Sequence, residues 1–210
     1  MPDVVPPRNG PLVRGLAAVT VAALVASGVG PYDRATWWME VAPVLLGLPL
    51  LVATRRRFPL TTLAYVLLAV HAVILVAGGH YTYARVPLGD WARDAFGLAR
   101  NPYDRLGHVA QGFVPAIVAR EVLLRTSPLR RGGWLFTLVT ALCLAISALY
   151  ELLEWATAVI AGGGAVDFLG TQGDVWDAQA DMACAWVGAM VAQALLARVH
   201  DRQLHALGAP

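Results

Sequence analysis

Six stretches of mostly apolar residues alternate with short polar connections along the 210-residue chain. A helix needs about 20 such residues to cross the hydrocarbon core of a bilayer, and fewer when flanking Trp or Arg side chains reach the interface. The pattern therefore predicts an all-α polytopic transmembrane bundle of about six helices, forming a single membrane domain over residues 1–210. The predicted helices cover residues 15–30, 38–54, 60–79, 107–124, 134–160 and 181–199.

Two of the connections are long enough to have structure of their own. In residues 80–106, apolar residues recur at helical spacing on one side and charged residues on the other, which predicts a short interfacial helix between helices 3 and 4. The apolar set is Leu88, Trp91, Ala92, Ala95 and Leu98, and the charged set is Asp90, Arg93 and Asp94. Residues 161–176 are rich in glycine, so we expect irregular backbone that contacts water or protein rather than lipid.

Composition supports a membrane protein and argues against other classes. Hydrophobic residues make up 58% of the chain, charged residues 14%, and the mean hydropathy is +0.58, which is too apolar for a soluble domain of this size. All sixteen basic residues are Arg and they form no clustered basic face, so no nucleic-acid partner is expected. Cys143 and Cys184 fall inside apolar runs and are predicted to be buried thiols rather than a disulfide.

The first apolar stretch has two interpretations. Arg8 and Arg14 precede a short apolar run that ends in small residues, a pattern that also describes a cleaved signal peptide. We favour a retained first helix over removal of residues 1–30. The orientation of the later helices is the same in either case.

Arginine placement predicts the orientation, because positively charged short loops stay in the cytoplasm. Arginines precede helix 1 and follow helices 2, 4 and 6, which predicts that both termini are cytoplasmic. These arginines are Arg8, Arg14, Arg55, Arg56, Arg57, Arg125, Arg130, Arg131, Arg198 and Arg202. Most acids fall on the other, outer side.

Three segments bring ionisable residues to the same predicted depth, near the outer leaflet. Asp104, His108 and Gln111 share one face of helix 4, and Glu151 and Glu154 share one face of helix 5. The chain then re-enters the membrane through GTQGDVWDAQADM, which carries Asp174, Asp177 and Asp181. Ionised side chains on membrane helices cost about 2.5–3.5 kcal/mol each on insertion scales, so these groups should face one another or a wet cavity.

The residue types suggest acid–base and metal chemistry. The candidate catalytic residues are Asp104, His108, Glu151 and Glu154, and the candidate metal ligands are Asp174, Asp177, Asp181, His108 and Glu154. Carboxylates and an imidazole suit a divalent ion such as Mg²⁺, Mn²⁺ or Zn²⁺. No HExxH or CxxC motif accompanies them.

Each residue also has a simpler interpretation. Asp174 is a candidate N-cap with Asp177 in the first turn of helix 6, and the two glutamates are candidates for a frayed helix end. Asp104 could form a surface ion pair with Arg105, and a lone His108 is typical of a packing residue. The functional interpretation depends on the shared membrane depth of these residues. It fails only if all of the simpler interpretations hold together.

Four further ionisable residues lie in or near the predicted spans. Arg120 and Glu121, deeper in helix 4, favour a structural role. His71, in the middle of helix 3, is typical of a hydrogen-bonded core histidine, and His80 at the outer end of that helix is a further candidate contributor to the cluster.

The segments YDRLGHVAQGFVPAIVARE, ELLEW and GTQGDVWDAQADM resemble those of the YjdF-type family of bacterial inner-membrane proteins, a family of unknown function. The resemblance extends over most of the chain. It implies a multi-pass protein of the bacterial inner membrane, and it does not indicate a substrate. A looser similarity of layout to VanZ-like membrane proteins is analogy alone.

These observations leave three functional hypotheses open. The first is a metal-assisted enzyme acting on a lipid or lipid-linked phosphate at the outer leaflet, although Arg105 is the only evident arginine for binding an oxyanion. The second is a small ion- or proton-coupled transporter, which the lack of an inverted repeat disfavours. The third is a structural membrane subunit whose charges lock helices together.

Overall fold

The computed structural model describes residues 9–161 and 171–208, and within these ranges the chain folds into seven α-helices without a strand. They are α1 (Gly10–Ser27), α2 (Arg34–Thr54), α3 (Thr62–Tyr81), α4 (Pro87–Phe96), α5 (Tyr103–Thr126), α6 (Gly133–Ala161) and α7 (Asp177–Ala206). The predicted all-α polytopic bundle is confirmed. Asp167 and the rest of residues 162–170 lie outside the described residues.

Five of these helices, α1, α2, α3, α6 and α7, are long and apolar enough to cross a membrane. The remaining long helix, α5, is more polar but packs against α3, α6 and α7. Buried residues occur along its whole length, from Tyr103 to Leu124. Because α5 contacts protein rather than lipid over much of its surface, it tolerates the polar residues that lower its hydropathy.

The predicted interfacial helix corresponds to α4. Leu88 and Trp91 are exposed on it, and Arg93 forms ion pairs with Asp90 and Asp94, an amphipathic arrangement typical of a helix at a membrane surface. The helix ends at Gly97, which adopts the left-handed conformation (φ 64°) that terminates many helices. Leu98 of the predicted apolar set therefore lies beyond the helix.

The helix ends differ from the predicted bounds, chiefly where charged residues extend the helix. α5 begins four residues earlier than predicted, at Tyr103, and α7 begins at Asp177 rather than at residue 181. An apolar run marks only the lipid-facing length of a helix, whereas backbone hydrogen bonding continues into segments that contact water or protein. Asp104 and Asp177 consequently lie within helices.

The closest helix pair is α5 and α7, which meet through two glycines. A Cβ atom on Gly112 would lie 1.8 Å from the backbone oxygen of Ala185, and one on Gly188 would lie 2.3 Å from that of Val109. Only glycine permits this approach of the two backbones. The contact aligns the start of α5 with the start of α7, the two segments that carry most of the predicted site.

The helices α1 and α2 lie on α3 and leave a cleft between them. At one end they are joined by Trp37, whose indole Nε1 donates a 3.0 Å hydrogen bond to Ser27 Oγ. Helix α2 begins with Asp33 as its N-cap, which accepts a 2.7 Å hydrogen bond from the Thr36 backbone N–H. We refer to this side of the bundle, which also carries α4 and the starts of α5 and α7, as the α4 end.

A buried polar network lies at the opposite end and involves Arg120 and Glu121. Glu121, fully buried, accepts hydrogen bonds from the Thr61 N–H and hydroxyl group and from Arg125. His200 Nδ1 lies 3.0 Å from Arg120, and His200 Nε2 lies 3.1 Å from Glu121. Because a guanidinium group only donates, His200 accepts at Nδ1 and donates from Nε2. These contacts tie α3, α5 and α7 together.

Both cysteines are free thiols, as predicted. Cys143 is buried in the core that α5, α6 and α7 share, whereas Cys184 on α7 is half-buried.

Candidate functional site

Three helices converge at the α4 end and carry the candidate residues. Asp104 and His108 lie one turn apart on α5, Asp177 and Asp181 lie one turn apart on α7, and Glu151 approaches from α6. The i, i+4 spacing places each pair on one face of its helix, and the close α5–α7 contact turns those faces toward each other. The structure thus brings together residues that are far apart in sequence.

Asp104, His108 and Asp181 form the centre of the site. One ligand atom from each lies within 4.8 Å of the other two, and all three residues are buried. His108 Nε2 is 3.6 Å from Asp104 Oδ1 and 3.8 Å from Asp181 Oδ1, too far for hydrogen bonds. Ligands about 2.1 Å from a shared cation lie about 3–3.5 Å from each other, so small side-chain movements would let these three residues bind one ion.

Glu151 lies beside this group. Its Oε1 atom is 3.7 Å from His108 Nε2, and neither this oxygen nor His108 Nδ1 has a hydrogen-bond partner among the described residues. Buried polar atoms without a partner are uncommon in folded proteins and often mark the position of a water or an ion. Glu151 is therefore placed to act as a fourth ligand or as a base.

Two arginines face the aspartates across the α5–α7 junction. Arg105 Nη2 lies 3.0 Å from Asp174 Oδ2 and 2.7 Å from Asp177 Oδ1, and Nη1 contacts Asp181. Arg100 lies 3.1 Å from Asp104 and also contacts Asp177. The two arginines thus contact all four aspartates, and Asp174 and Asp177, predicted as metal ligands, lie outside the central group.

Asp174 is not the N-cap of α7, which was its alternative predicted role. Trp176 is the residue before α7, and Asp174 Oδ1 instead accepts a 2.9 Å hydrogen bond from the Trp176 N–H within the preceding turn. Asp177 does lie in the first turn of α7, where a negative charge is favourable. The pairing of Asp104 with Arg105 was also wrong, since Arg100 is the arginine that contacts Asp104.

Asn101 holds the segments around the site in register. Its backbone N–H donates to Gln172 Oε1 at 3.0 Å, and Gln172 Nε2 donates back to the Asn101 carbonyl at 3.1 Å. The Asn101 side chain donates to the Val86 carbonyl and to Asp90. This asparagine, fully buried, connects α4, α5 and the described part of the α6–α7 connection. Sequence analysis did not identify it.

A cavity of about 180 Å³ extends from the central group into the bundle. Acids, phenols, imidazoles and an amide are among the side chains that line it. They include Glu40, His71, Tyr83, Asp104, His108, Gln111, Tyr150 and Glu154. Gln111 was predicted to share the face of Asp104 and His108, and it lines the same cavity. We call this space the polar cavity.

Tyr83 and Glu40 form one wall of the polar cavity. The Tyr83 ring is packed between α3 and α5, where an added Cβ would lie 2.4 Å from it at Gly78 and 2.7 Å from it at Gly107. Its phenol and the Glu40 carboxyl group both line the cavity. Glu40 is on α2 and Glu154 is on α6, so the predicted catalytic residue Glu154 faces an acid that sequence analysis had not included.

His80 does not contribute to the site, contrary to the sequence-based suggestion. Its Nδ1 atom is 2.9 Å from the Ser27 carbonyl oxygen, which accepts only, so Nδ1 carries a proton and donates to α1. His71 lies at the inner end of the polar cavity and its Nε2 atom has no hydrogen-bond partner among the described residues. The hydrogen bond predicted for a core histidine is therefore not formed by His71 Nε2 within the described part of the chain.

Comparisons with known proteins agree with this architecture. Residues 12–202 match the family described as "Predicted membrane protein (DUF2238)". The chain is 51% identical over 199 residues to "Inner membrane protein YjdF" of Escherichia coli (strain K12), a match that covers 94% of this chain and 95% of that protein. No solved structure matches the chain.

Proposed function

The chain belongs to the DUF2238 family of predicted membrane proteins, and from its geometry we propose that it is a metal-dependent enzyme acting on a lipid or lipid-linked phosphate. The main support for this proposal is a group of three buried ligand atoms within 4.8 Å of one another, from Asp104, His108 and Asp181. Its relative YjdF is named as an inner membrane protein, which agrees with the predicted location of this chain in a bacterial inner membrane.

Charge balance favours a divalent cation at this position. Asp104, Asp174, Asp177 and Asp181 are matched by two arginines, Arg100 and Arg105. Among these described residues, four ionised aspartates exceed the two guanidinium groups by two negative charges, and an ionised Glu151 beside His108 adds a third. A buried excess of charge is costly, and one divalent ion would neutralise most of it.

Each part of the cluster has a role in phosphate chemistry. A cation held by Asp104, His108 and Asp181 would polarise a phosphoryl oxygen and lower the pKa of a bound water. Glu151, beside His108, is placed to accept the proton of that water. Arg100 and Arg105, oriented by Asp174 and Asp177, are placed to bind the remaining phosphate oxygens. Arg100 would be a second arginine for binding the oxyanion, beside the Arg105 that the sequence alone suggested.

The arginine distribution supports a position of this site at the outer leaflet. The start of α1, the end of α7 and the arginine-rich loops lie at the opposite end of the bundle, which the positive-inside rule assigns to the cytoplasm. The exposed Trp91 and Phe96 of α4 then lie at the outer interface, where aromatic side chains are favoured. A lipid head group in that leaflet would reach the cluster directly.

The test is phosphate release by the full chain in nanodiscs, with phosphatidic acid and a polyprenyl diphosphate as probes. We expect release that requires added Mg²⁺, Mn²⁺ or Zn²⁺, stops with EDTA, and falls at least about 100-fold in Asp181→Asn and His108→Ala. The matched controls are Asp94→Asn on exposed α4 and His205→Ala near the exposed end of α7, which should behave as wild type. Release that survives EDTA, or equal loss in the controls, would contradict the proposal.

A structural subunit predicts a different result in the same samples. In that case Asp181→Asn and His108→Ala would lower the melting temperature, with no catalytic activity in the wild type to lose. Measuring thermal unfolding alongside phosphate release separates the two hypotheses.

One observation favours the transporter hypothesis as a second candidate. The polar cavity and the cleft between α1 and α2 share Pro43, His71, Leu75 and Pro115 as lining residues. Together they extend from Asp104 to Arg55 at the opposite end, with His71 at their junction. Proton or cation flux into proteoliposomes that is lost in His71→Ala and Glu154→Gln, without phosphate release by the wild type, would favour transport.

A further inference from the structure

The cleft between α1 and α2, which adjoins the polar cavity but contains none of the aspartates of the candidate active site, is a second cavity of about 260 Å³. Its lining is almost wholly apolar and includes Leu16, Ala17, Val44, Leu48, Leu51 and Leu68. Pro43 and Val52 line it and are exposed, so the cleft opens sideways, onto the surface that faces lipid in a membrane. An empty apolar space there would forfeit dispersion contacts, so a hydrocarbon chain should fill it.

One end of the cleft is lined by Arg55, and Arg14 of α1 lies beside Arg55 without lining the cleft itself. A Cβ atom on Gly10 would lie 3.7 Å from Arg55 Nη2 and 3.8 Å from Arg14 Nη1. The two guanidinium groups therefore approach the same point from α1 and from the end of α2. Among residues 9–161 and 171–208, neither forms an ion pair with a carboxylate. Two like charges held this close are stabilised by an anion between them.

An apolar cleft with a pair of arginines at one end matches the chemistry of an anionic phospholipid. We propose that one acyl chain of such a lipid fills the cleft and that its phosphate group binds Arg14 and Arg55. From Pro43 to Arg55 the cleft follows about 18 Å of α2, a little more than half the thickness of a bilayer core. This length suits one chain of a lipid whose head group lies at the arginine end. Basic pockets between membrane helices commonly bind anionic head groups.

This proposal is independent of the proposed function, because it involves neither the aspartate cluster nor catalysis. The occupant is a whole lipid rather than free phosphate, since the apolar cleft and the arginines are adjacent parts of one site. A free phosphate compound would use only the arginines and leave the cleft empty.

The experiment uses phosphatidylglycerol with a photoreactive group in its acyl chain, added to the full chain in phosphatidylcholine nanodiscs. We expect crosslinks to residues that line the cleft, competed by unlabelled phosphatidylglycerol and not by extra phosphatidylcholine. Arg55→Gln and Arg14→Gln should each lower the yield about fivefold. Arg56→Gln is the matched control, because Arg56 adjoins Arg55 but does not line the cleft.

A second pair of variants tests the apolar part without changing charge. Gly47→Leu fills the cleft, since an added Cβ at Gly47 meets nothing within 4 Å, whereas Gly15→Leu places the same side chain on the exposed face of α1. We expect the yield to fall only with Gly47→Leu. Equal competition by phosphatidylcholine, equal yields in Arg55→Gln and Arg56→Gln, or displacement by glycerol 3-phosphate as effective as by the lipid would each overturn the proposal.

Discussion

His108 Nε2 on α5 lies 3.8 Å from Asp181 Oδ1 on α7. This proximity depends on the glycine-mediated contact between the two helices, because a wider spacing would move the imidazole and the carboxylate out of reach of one ion. The packing of α5 against α7 and the chemistry of the α4 end are therefore linked. The first prediction tests that link.

Gly112→Ala should destabilise the bundle and weaken the site together. The new Cβ would lie 1.8 Å from the Ala185 backbone oxygen, so the helices must separate, and overpacking of this kind costs about 3 kcal/mol. Gly15→Ala on the exposed face of α1 is the control and should change the stability by less than about 0.5 kcal/mol. Thermal unfolding in detergent measures both, and equal melting temperatures would contradict the close α5–α7 contact.

Glu121→Gln should cost about 3 kcal/mol of stability, because one of its oxygens becomes a donor that faces other donors. Thr61, Arg125 and His200 all donate to this carboxylate. Arg131→Gln, which removes a partly exposed partner of Asp201, should cost less than about 1 kcal/mol. Similar losses in the two variants would show that the Glu121 network does not hold α3, α5 and α7 together.

Asp33→Ala should lower the stability by about 1 kcal/mol through loss of the α2 N-cap, and Asp33→Asn by less. The hydrogen bonds from Thr36 hold the pKa of Asp33 below its usual value. The charged form is therefore favoured by folding, and this contribution is present at neutral pH and disappears as the pH falls through the lowered pKa.

The stability difference between wild type and Asp33→Asn should accordingly narrow as the pH falls from about 6 toward 3. Melting temperatures across this range provide the measurement. A difference that is constant with pH would mean that the Asp33 charge does not contribute.

The orientation proposal predicts opposite labelling of the two ends of the bundle. In a background with Cys143 and Cys184 replaced by alanine, Asp94→Cys on α4 should react with a membrane-impermeant maleimide added to intact cells or spheroplasts. Arg56→Cys, which is equally exposed at the opposite end, should react only after the membrane is opened. The reverse pattern would place the aspartate cluster in the cytoplasm.

Local sequence patterns predicted the long helices and part of the candidate site. Apolar runs located the long helices, and the i, i+4 spacing of Asp104 and His108 identified a shared face that the structure retains. Glu40, Tyr83 and Arg100 were missed for a physical reason. α2 is apolar on all sides, so no periodicity shows that Glu40 faces inward. Two of the partners of Arg100, Asp174 and Asp177, lie more than seventy residues away in sequence, and only the α5–α7 contact brings them near.

The most direct test is calorimetric titration of Mn²⁺ or Zn²⁺ into the metal-stripped full chain. The account predicts saturable binding of one ion per chain, weakened more than about 100-fold in Asp181→Asn and His108→Ala and unchanged in His205→Ala. Wild-type protein that binds neither cation, or binding that the Asp181 and His108 substitutions leave unchanged, would contradict it.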